Sequence, residues 1–200
     1  MDLVRAVRRR FGNISLMVDA NTSYQLDDTG IFEELDRFDL MMIEQPLERE
    51  ALTEHAELQR RLRTSICLDE SAHDLESVGS MYSAGQRAYP QHQGAAHWGR
   101  LAGAPGARPG ASCRHFLLAR DYAGVGIASV QGLHLATLPN FTLPSDVVAS
   151  ERWFVDDIVG PPISITETGF ICLPDGAGMG YRVAADKVAQ YRTRFEELRA

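Results

Sequence analysis

Apolar and polar positions alternate along the first 84 residues in one repeated theme. A short apolar run, Ile14 to Val18, ends at Asp19, and a helical pattern follows around Ile31 to Phe38. A second run, Leu40 to Ile43, ends at Glu44 and precedes a helix over about Leu52 to Leu62. A third, Ser65 to Leu68, ends at Asp69 and Glu70, with a further helix predicted from Leu75 to about Ser83. Strands apolar on both faces that alternate with helices indicate a parallel sheet covered by helices. Before them, Met1 to Phe11 reads as an Arg-rich amphipathic helix closed by Gly12.

Residues 85–126 break the pattern. They contain 8 of the 17 glycines and only one acid, Asp121, and before Val125 they have neither Val nor Ile. With Pro90, Pro105 and Pro109 in the way, this stretch is expected to hold no strand and to be irregular. The spacing of His92, His97, Cys113 and His115 matches no metal-ligand pattern. Periodicity resumes with a helix over Ile127 to Leu138 and a short strand, Phe141 to Asp146. Short strands are expected around Ile163–Ile165 and Phe170–Leu173. An amphipathic helix over Ala185 to Leu198 is expected to bury Val188, Tyr191 and Phe195.

Composition narrows the chemistry. The net charge of −7 argues against nucleic acid or an acidic membrane surface as partner, and no apolar run is long enough to span a bilayer. Three scattered cysteines, Cys67, Cys113 and Cys172, support neither a disulfide framework nor a zinc site, and a cytoplasmic setting is expected. Cys67, in an apolar strand, reads as a buried filler. Of 20 basic residues, 19 are Arg and one is Lys187, so any lysine-dependent step must use Lys187.

The acids Asp19, Glu44 and Asp69 are spaced by 25 residues and 25 again. One βα unit uses about that much chain, so each acid falls at the C-terminal end of its strand, the face that carries the active site in α/β barrels. An acid there can also cap the following helix, but one repeated spacing favours a common site. Three carboxylates converging on one point repel one another unless a cation sits between them, and hard oxygen donors suit Mg²⁺ or Mn²⁺. Asp146 reads as a loop or capping acid.

Val18-Asp-Ala-Asn21, Ile43-Glu-Gln-Pro-Leu47 and Cys67-Leu-Asp-Glu-Ser71, in this order, resemble the enolase superfamily, in particular its o-succinylbenzoate synthase / N-acylamino acid racemase branch. Leu135 to Asp146 and Pro174-Asp-Gly-Ala-Gly-Met-Gly180 resemble that branch's last barrel strand and C-terminal segment. The resemblance covers residues 3–84 and 126–198. It implies an α/β fold, part of a modified (β/α) barrel without its N-terminal capping domain and first barrel strands, with residues 1–160 as the incomplete barrel and 161–200 as a C-terminal segment packing back on it. It also implies one Mg²⁺ held by Asp19, Glu44 and Asp69, with Glu70, Asn21 and Gln45 as candidates to shape the site around it. In that branch the metal holds a small carboxylate substrate and stabilises the enediolate formed when the α-proton leaves, while two lysines serve as acid and base. The reactions implied are dehydration to o-succinylbenzoate in menaquinone synthesis, or racemisation of N-acylamino acids.

Neither lysine position is matched. The first lies one strand before Asp19, and the second about 25 residues beyond Asp69, inside the aberrant stretch. The expectation is a chain with metal ligands and no catalytic base, hence no turnover. The alternative is a non-catalytic fragment that binds a divalent metal or a homologous chain. Open barrel edges would favour self-association or aggregation. One genetic origin suggests itself. Codons for Ala88–Gly94, read one base over, permit Arg-Ile-Leu-Asn-Ile-Lys, and those for Arg120–Gly126 permit Gly-Thr-Met-Leu-Glu-Ser-Gly. The nucleotide sequence decides that point.

Overall fold

A computed structural model describes residues 1–72, 89–93, 118–120, 126–139 and 141–196. The chain opens with α1 (Asp2–Phe11), whose acidic first residue and Arg8, Arg9 and Arg10 in the last turn complement the helix dipole. Gly12 ends it at φ 62°, a conformation that glycine adopts without penalty. Arg8 then ties the helix down, donating from Nε to Phe38 O at 2.7 Å and from Nη1 to Ile14 O at 2.5 Å.

Two βα units and a third strand follow where the apolar runs predict them. They comprise β1 (Met17–Asp19) with α2 (Thr29–Leu35), then β2 (Met42–Glu44) with α3 (Leu52–Arg61), then β3 (Ser65–Leu68). Single 3₁₀ turns at Leu26–Asp28 and Asp36–Phe38 flank α2. Two more strands, β4 (Tyr89–Gln93) and β5 (Leu118–Arg120), complete a five-stranded parallel sheet in the order β1-β2-β3-β4-β5. A strand order that never reverses is that of a βα barrel rather than a doubly wound sheet, which reverses at its switch point.

The strands β4 and β5 correct the expectation that 85–125 holds none. Pairing runs through backbone groups, and the open edge of β3 offers them, so Tyr89 and Pro90 pair with Cys67 and Leu68 despite poor strand composition. β4 lies within the segment whose shifted codons permit a strand ending in lysine. The helix expected over Leu75–Ser83, and the His97, Cys113 and His115 grouping, lie outside the described residues.

Two faces of the sheet have separate roles, because successive side chains point to opposite sides. Val18, Ile43, Ile66 and Leu68 face the helices and pack with Phe32, Leu35, Leu58 and Leu62. On the other face, Met42 and Cys67 are fully buried and pack with Met17 and Leu143, which bears out Cys67 as a filler. Glu57, Arg61 and other charged groups of α3 stay at the surface, while Gln59 turns inward to accept from Ile66 N at 2.8 Å. Asp36 joins the end of α2 to the loop before β3, accepting from Thr64 N at 2.7 Å and Arg63 Nε at 3.1 Å. Partial burial pushes the Asp36 carboxyl up, but the hydrogen bonds from Thr64 and Arg63 outweigh it and hold it below the ordinary carboxylate range.

The helix α4 (Gly126–Ala136) appears where the periodicity places it. Its first residue donates to Asp157 Oδ1 at 3.0 Å, and a Cβ there would lie 2.3 Å from Val159 Cγ2. Val130, Leu133 and Leu135 form a second core with Phe141, Val147 and Ile163, covered by Ile171, Leu173, Met179 and Tyr181. His134 Nε2 reaches Met179 O at 3.0 Å and helps fasten that cover.

Four expectations for the C-terminal third are corrected. Phe141 to Asp146 makes single bridges at its two ends rather than a strand. Ile163–Ile165 and Phe170–Leu173 form no strands. They fold as a loop around the second core, with Thr166 N donating to Phe170 O at 2.8 Å. The pairing instead falls on β6 (Val159–Gly160) and β7 (Arg182–Val183), which are antiparallel. The last helix, α5 (Ala185–Tyr191), stops short of Leu198, and Val188, Tyr191 and Phe195 are 37%, 52% and 70% exposed. An amphipathic stripe marks a face that can be buried, and nothing among the described residues covers this one. Among the described residues no helix is long and apolar enough to cross a membrane.

Candidate functional site

The site is built where β1, β2 and β3 end. Asp19 pairs with Glu44, and Glu44 with Cys67, so all three side chains share a face. Asp69 follows directly on the end of β3, two residues beyond Cys67, where continuing the strand's period of two points to the same face. It is the face on which Met17, Met42 and Cys67 lie one step earlier, so the three acids form a layer above a sulfur-lined apolar floor. Glu44 and Asp69 are 4% exposed, and Asp19 is exposed at the rim.

The loops above the strands are held by a ladder that continues past the sheet. Ala20, Thr22 and Tyr24 donate to Glu44 O, Gln45 O and Pro46 O at 3.0, 2.9 and 3.2 Å. Asn21, Thr22 and Gln45 have φ of 44°, 59° and 31°, left-handed values unusual for non-glycine residues and most costly for the β-branched Thr22. The Asp19 carboxylate supports this turn by accepting from Asn21 N at 2.9 Å. Asn21 itself is exposed and bonds here through its backbone.

Gln45 is fully buried, and every hydrogen-bonding position of its amide is used. Oε1 accepts from Asp69 N at 2.9 Å and Ser71 N at 3.2 Å, and Nε2 donates to Leu47 O at 3.1 Å and Ser71 Oγ at 2.7 Å. Two backbone N–H donors on one side fix which end of the amide is oxygen. Ser71 was not a candidate, yet it is fully buried and donates to Arg49 O at 2.7 Å. Its place one residue after the Asp69-Glu70 pair was the available signal.

His55 is another buried polar group that the sequence left without a role. Its Nε2 accepts from Leu47 N at 3.2 Å while Nδ1 donates to Ala51 O at 2.8 Å, so the ring is neutral as bonded. Burial pushes its pKa down to about 4, against smaller upward effects of Ala51 and Glu54. Nothing short of the fold signalled this.

The donor chemistry fits a hard divalent cation. Three carboxylates stand at neighbouring strand ends, and the adjacent Glu70 has a buried Oε2 with no hydrogen-bond partner among the described residues, a costly arrangement that nearby positive charge would relieve. As they stand, among the described residues, no three carboxylate, imidazole or thiol groups are drawn together tightly enough to hold an ion. The acids Asp19, Glu44 and Asp69 thus stand at neighbouring strand ends without being gathered. Lys187 lies in α5 and forms an ion pair with Asp156, whose hydrogen bond raises the lysine pKa.

Parallel strands in unbroken order define a βα-barrel segment, a fold whose sites sit at the C-terminal ends of its strands. The Enolase C-terminal domain-like family matches residues 1–187, and the chain belongs to it. The o-succinylbenzoate synthase of Bacillus subtilis (strain 168) is 36% identical over 200 residues, covering 98% of this chain and 53% of that protein. The N-succinylamino acid racemase of an Amycolatopsis species is 39% identical over 186 residues, covering 88% of this chain and 48% of that one. A crystal structure of an enolase-superfamily member from Listeria innocua Clip11262 superposes with a TM-score of 0.88 at 31% identity, covering 96% of this chain and 51% of that chain. The chain spans about half the length of the curated relatives it matches.

Proposed function

We propose that this chain carries the metal-binding half of a site that removes a proton α to a carboxylate, of the o-succinylbenzoate synthase / N-acylamino acid racemase type. The observation that supports this reading is the register that sets Asp19 beside Glu44 and Glu44 beside Cys67, with Asp69 two residues further along the chain. Asp19, Glu44 and Asp69 would hold Mg²⁺ (or Mn²⁺), with Glu70 as the neighbouring acid. When bound, the ion would supply Lewis-acid stabilisation of the charge that builds on a small substrate carboxylate as the proton leaves.

The chain's own residues supply binding and orientation. The apolar floor of Met17, Met42 and Cys67 keeps water away beneath the acids, which strengthens charge interactions above it. Lys187 is tied to Asp156 on the C-terminal helix, so these 200 residues offer no lysine as acid or base beside the strand ends. The chain alone is therefore inactive in this reading.

Titration calorimetry with Mg²⁺, wild type against Asp69→Asn, tests the metal site. We expect at least tenfold weaker binding by the variant, and equal binding would remove Asp69 from the site. Dehydration or racemisation above background by the purified chain would overturn the need for the lysines. A second reading, a non-catalytic chain that pairs with a homologous one, is favoured by exposed Val155, Phe170 and Phe195. Capture of a full-length relative without Mg²⁺ binding would support it over the first.

A further inference from the structure

The geometry points to Gln45 as a positioning residue of this site, a group that ties all three acid-bearing strand ends into a common frame. The inference rests on the proposed metal-binding role of Asp19, Glu44 and Asp69. Gln45 follows Glu44 directly. Its backbone N–H donates to Cys67 O at 2.8 Å, and its carbonyl accepts from Thr22 N at 2.9 Å, three residues beyond Asp19. Its side chain completes the set by accepting the Asp69 N–H at 2.9 Å. One residue thereby touches the segment that follows each acid-bearing strand or the acid's own peptide.

The amide is suited to this and few groups could replace it. Asp69 N and Ser71 N both need an acceptor, while Leu47 O and Ser71 Oγ need a donor, and only a primary amide offers two of each at this length. A buried network with every position filled holds one arrangement, because any shift strands a polar group. The same network holds Gln45 at φ 31°, a conformation that disfavours any residue with a Cβ. Ser71 serves as the internal control. It belongs to the same network and is equally buried, but its hydroxyl contacts Gln45 Nε2 and Arg49 O and not the Asp69 peptide.

The test compares Gln45→Met, which keeps length and removes the amide, with Ser71→Ala. Both should lower the urea midpoint. Only Gln45→Met should weaken Mg²⁺ binding, by at least tenfold, with Ser71→Ala within threefold of wild type. Equal affinity of Gln45→Met and wild type, or equal losses in both variants, overturns the proposal. A second readout needs no metal: the Asp69 amide should exchange with solvent at least tenfold faster in Gln45→Met than in Ser71→Ala, and equal rates overturn the proposal. If Gln45→Met does not fold, the wild-type chain decides the question. A through-hydrogen-bond coupling between Asp69 N and the Gln45 side-chain carbonyl carbon is expected, and its absence refutes the contact. Failure of wild type to bind Mg²⁺ with the exchange difference intact would count against the metal site and leave Gln45 as the brace of the three loops.

Discussion

Acidification from pH 7 to 4.5 should weaken this chain through His55, and the structure gives the size of the effect. The ring is fully buried and neutral, and a proton added at Nε2 would face the Leu47 N–H that now donates to it. Its pKa is about 4 in the fold against an ordinary 6.5. The unfolded chain therefore takes up the proton first as pH falls. The stability held by the neutral ring is complete above about pH 6.5 and is lost as pH drops towards 4, by about 3 kcal/mol in all. The loss reaches the site as well, because Leu47 also accepts from Gln45 Nε2, which shares its amide with Asp69. Urea unfolding followed by circular dichroism at pH 7, 6, 5 and 4.5, wild type against His55→Gln, measures it. The variant should start about 1 kcal/mol lower at pH 7, since the Leu47 N–H is poorly matched. It should then lose about 2 kcal/mol less than wild type on the way to pH 4.5. Asp36 does not confuse the comparison: its depressed carboxyl releases stability only below its ordinary value of 3.8. A His55→Gln chain with the same acid slope as wild type would refute the reasoning.

Two further substitutions probe the packing behind the site. Phe32 is fully buried and meets the Tyr24 ring edge-on at 5.2 Å, so Phe32→Ala should cost about 3–5 kcal/mol in chemical unfolding. A loss below about 1 kcal/mol would mean that the helix layer closes over the gap far more readily than close packing allows. Gly126→Ala should destabilise by about 1–3 kcal/mol, because the new Cβ would sit 2.3 Å from Val159 Cγ2 and 2.5 Å from Asp157 Oδ2. Alanine's better helix propensity, about 1 kcal/mol, works the other way, so a raised melting temperature would show that the contact yields.

The amino-acid sequence by itself determined the first two βα units, the third strand and the positions of the acids. Strands apolar on both faces, each ending in a carboxylate at a spacing of 25, leave little freedom once a parallel sheet forms. The same local logic located α1 with its Gly12 stop and α4, since a helix needs only contacts three and four residues apart. Long-range pairing was decided by the tertiary structure alone. Tyr89–Gln93 and Leu118–Arg120 pair because a strand edge is on offer, and Val159 pairs with Val183 across a Pro/Gly-rich loop that looked better suited to strands of its own. Helix propensity without a covering surface did not carry α5 beyond Tyr191, because most helical stability comes from packing. The roles of Gln45, Ser71 and His55 were equally hidden. Hydrogen bonds between residues 8 to 26 positions apart leave no periodicity to read, and a buried amide is specified by the fold that surrounds it. The sequence puts the acids at the ends of their strands, while the hydrogen bonds that Gln45 makes to Cys67, Thr22 and Asp69 exist only once the backbone has folded.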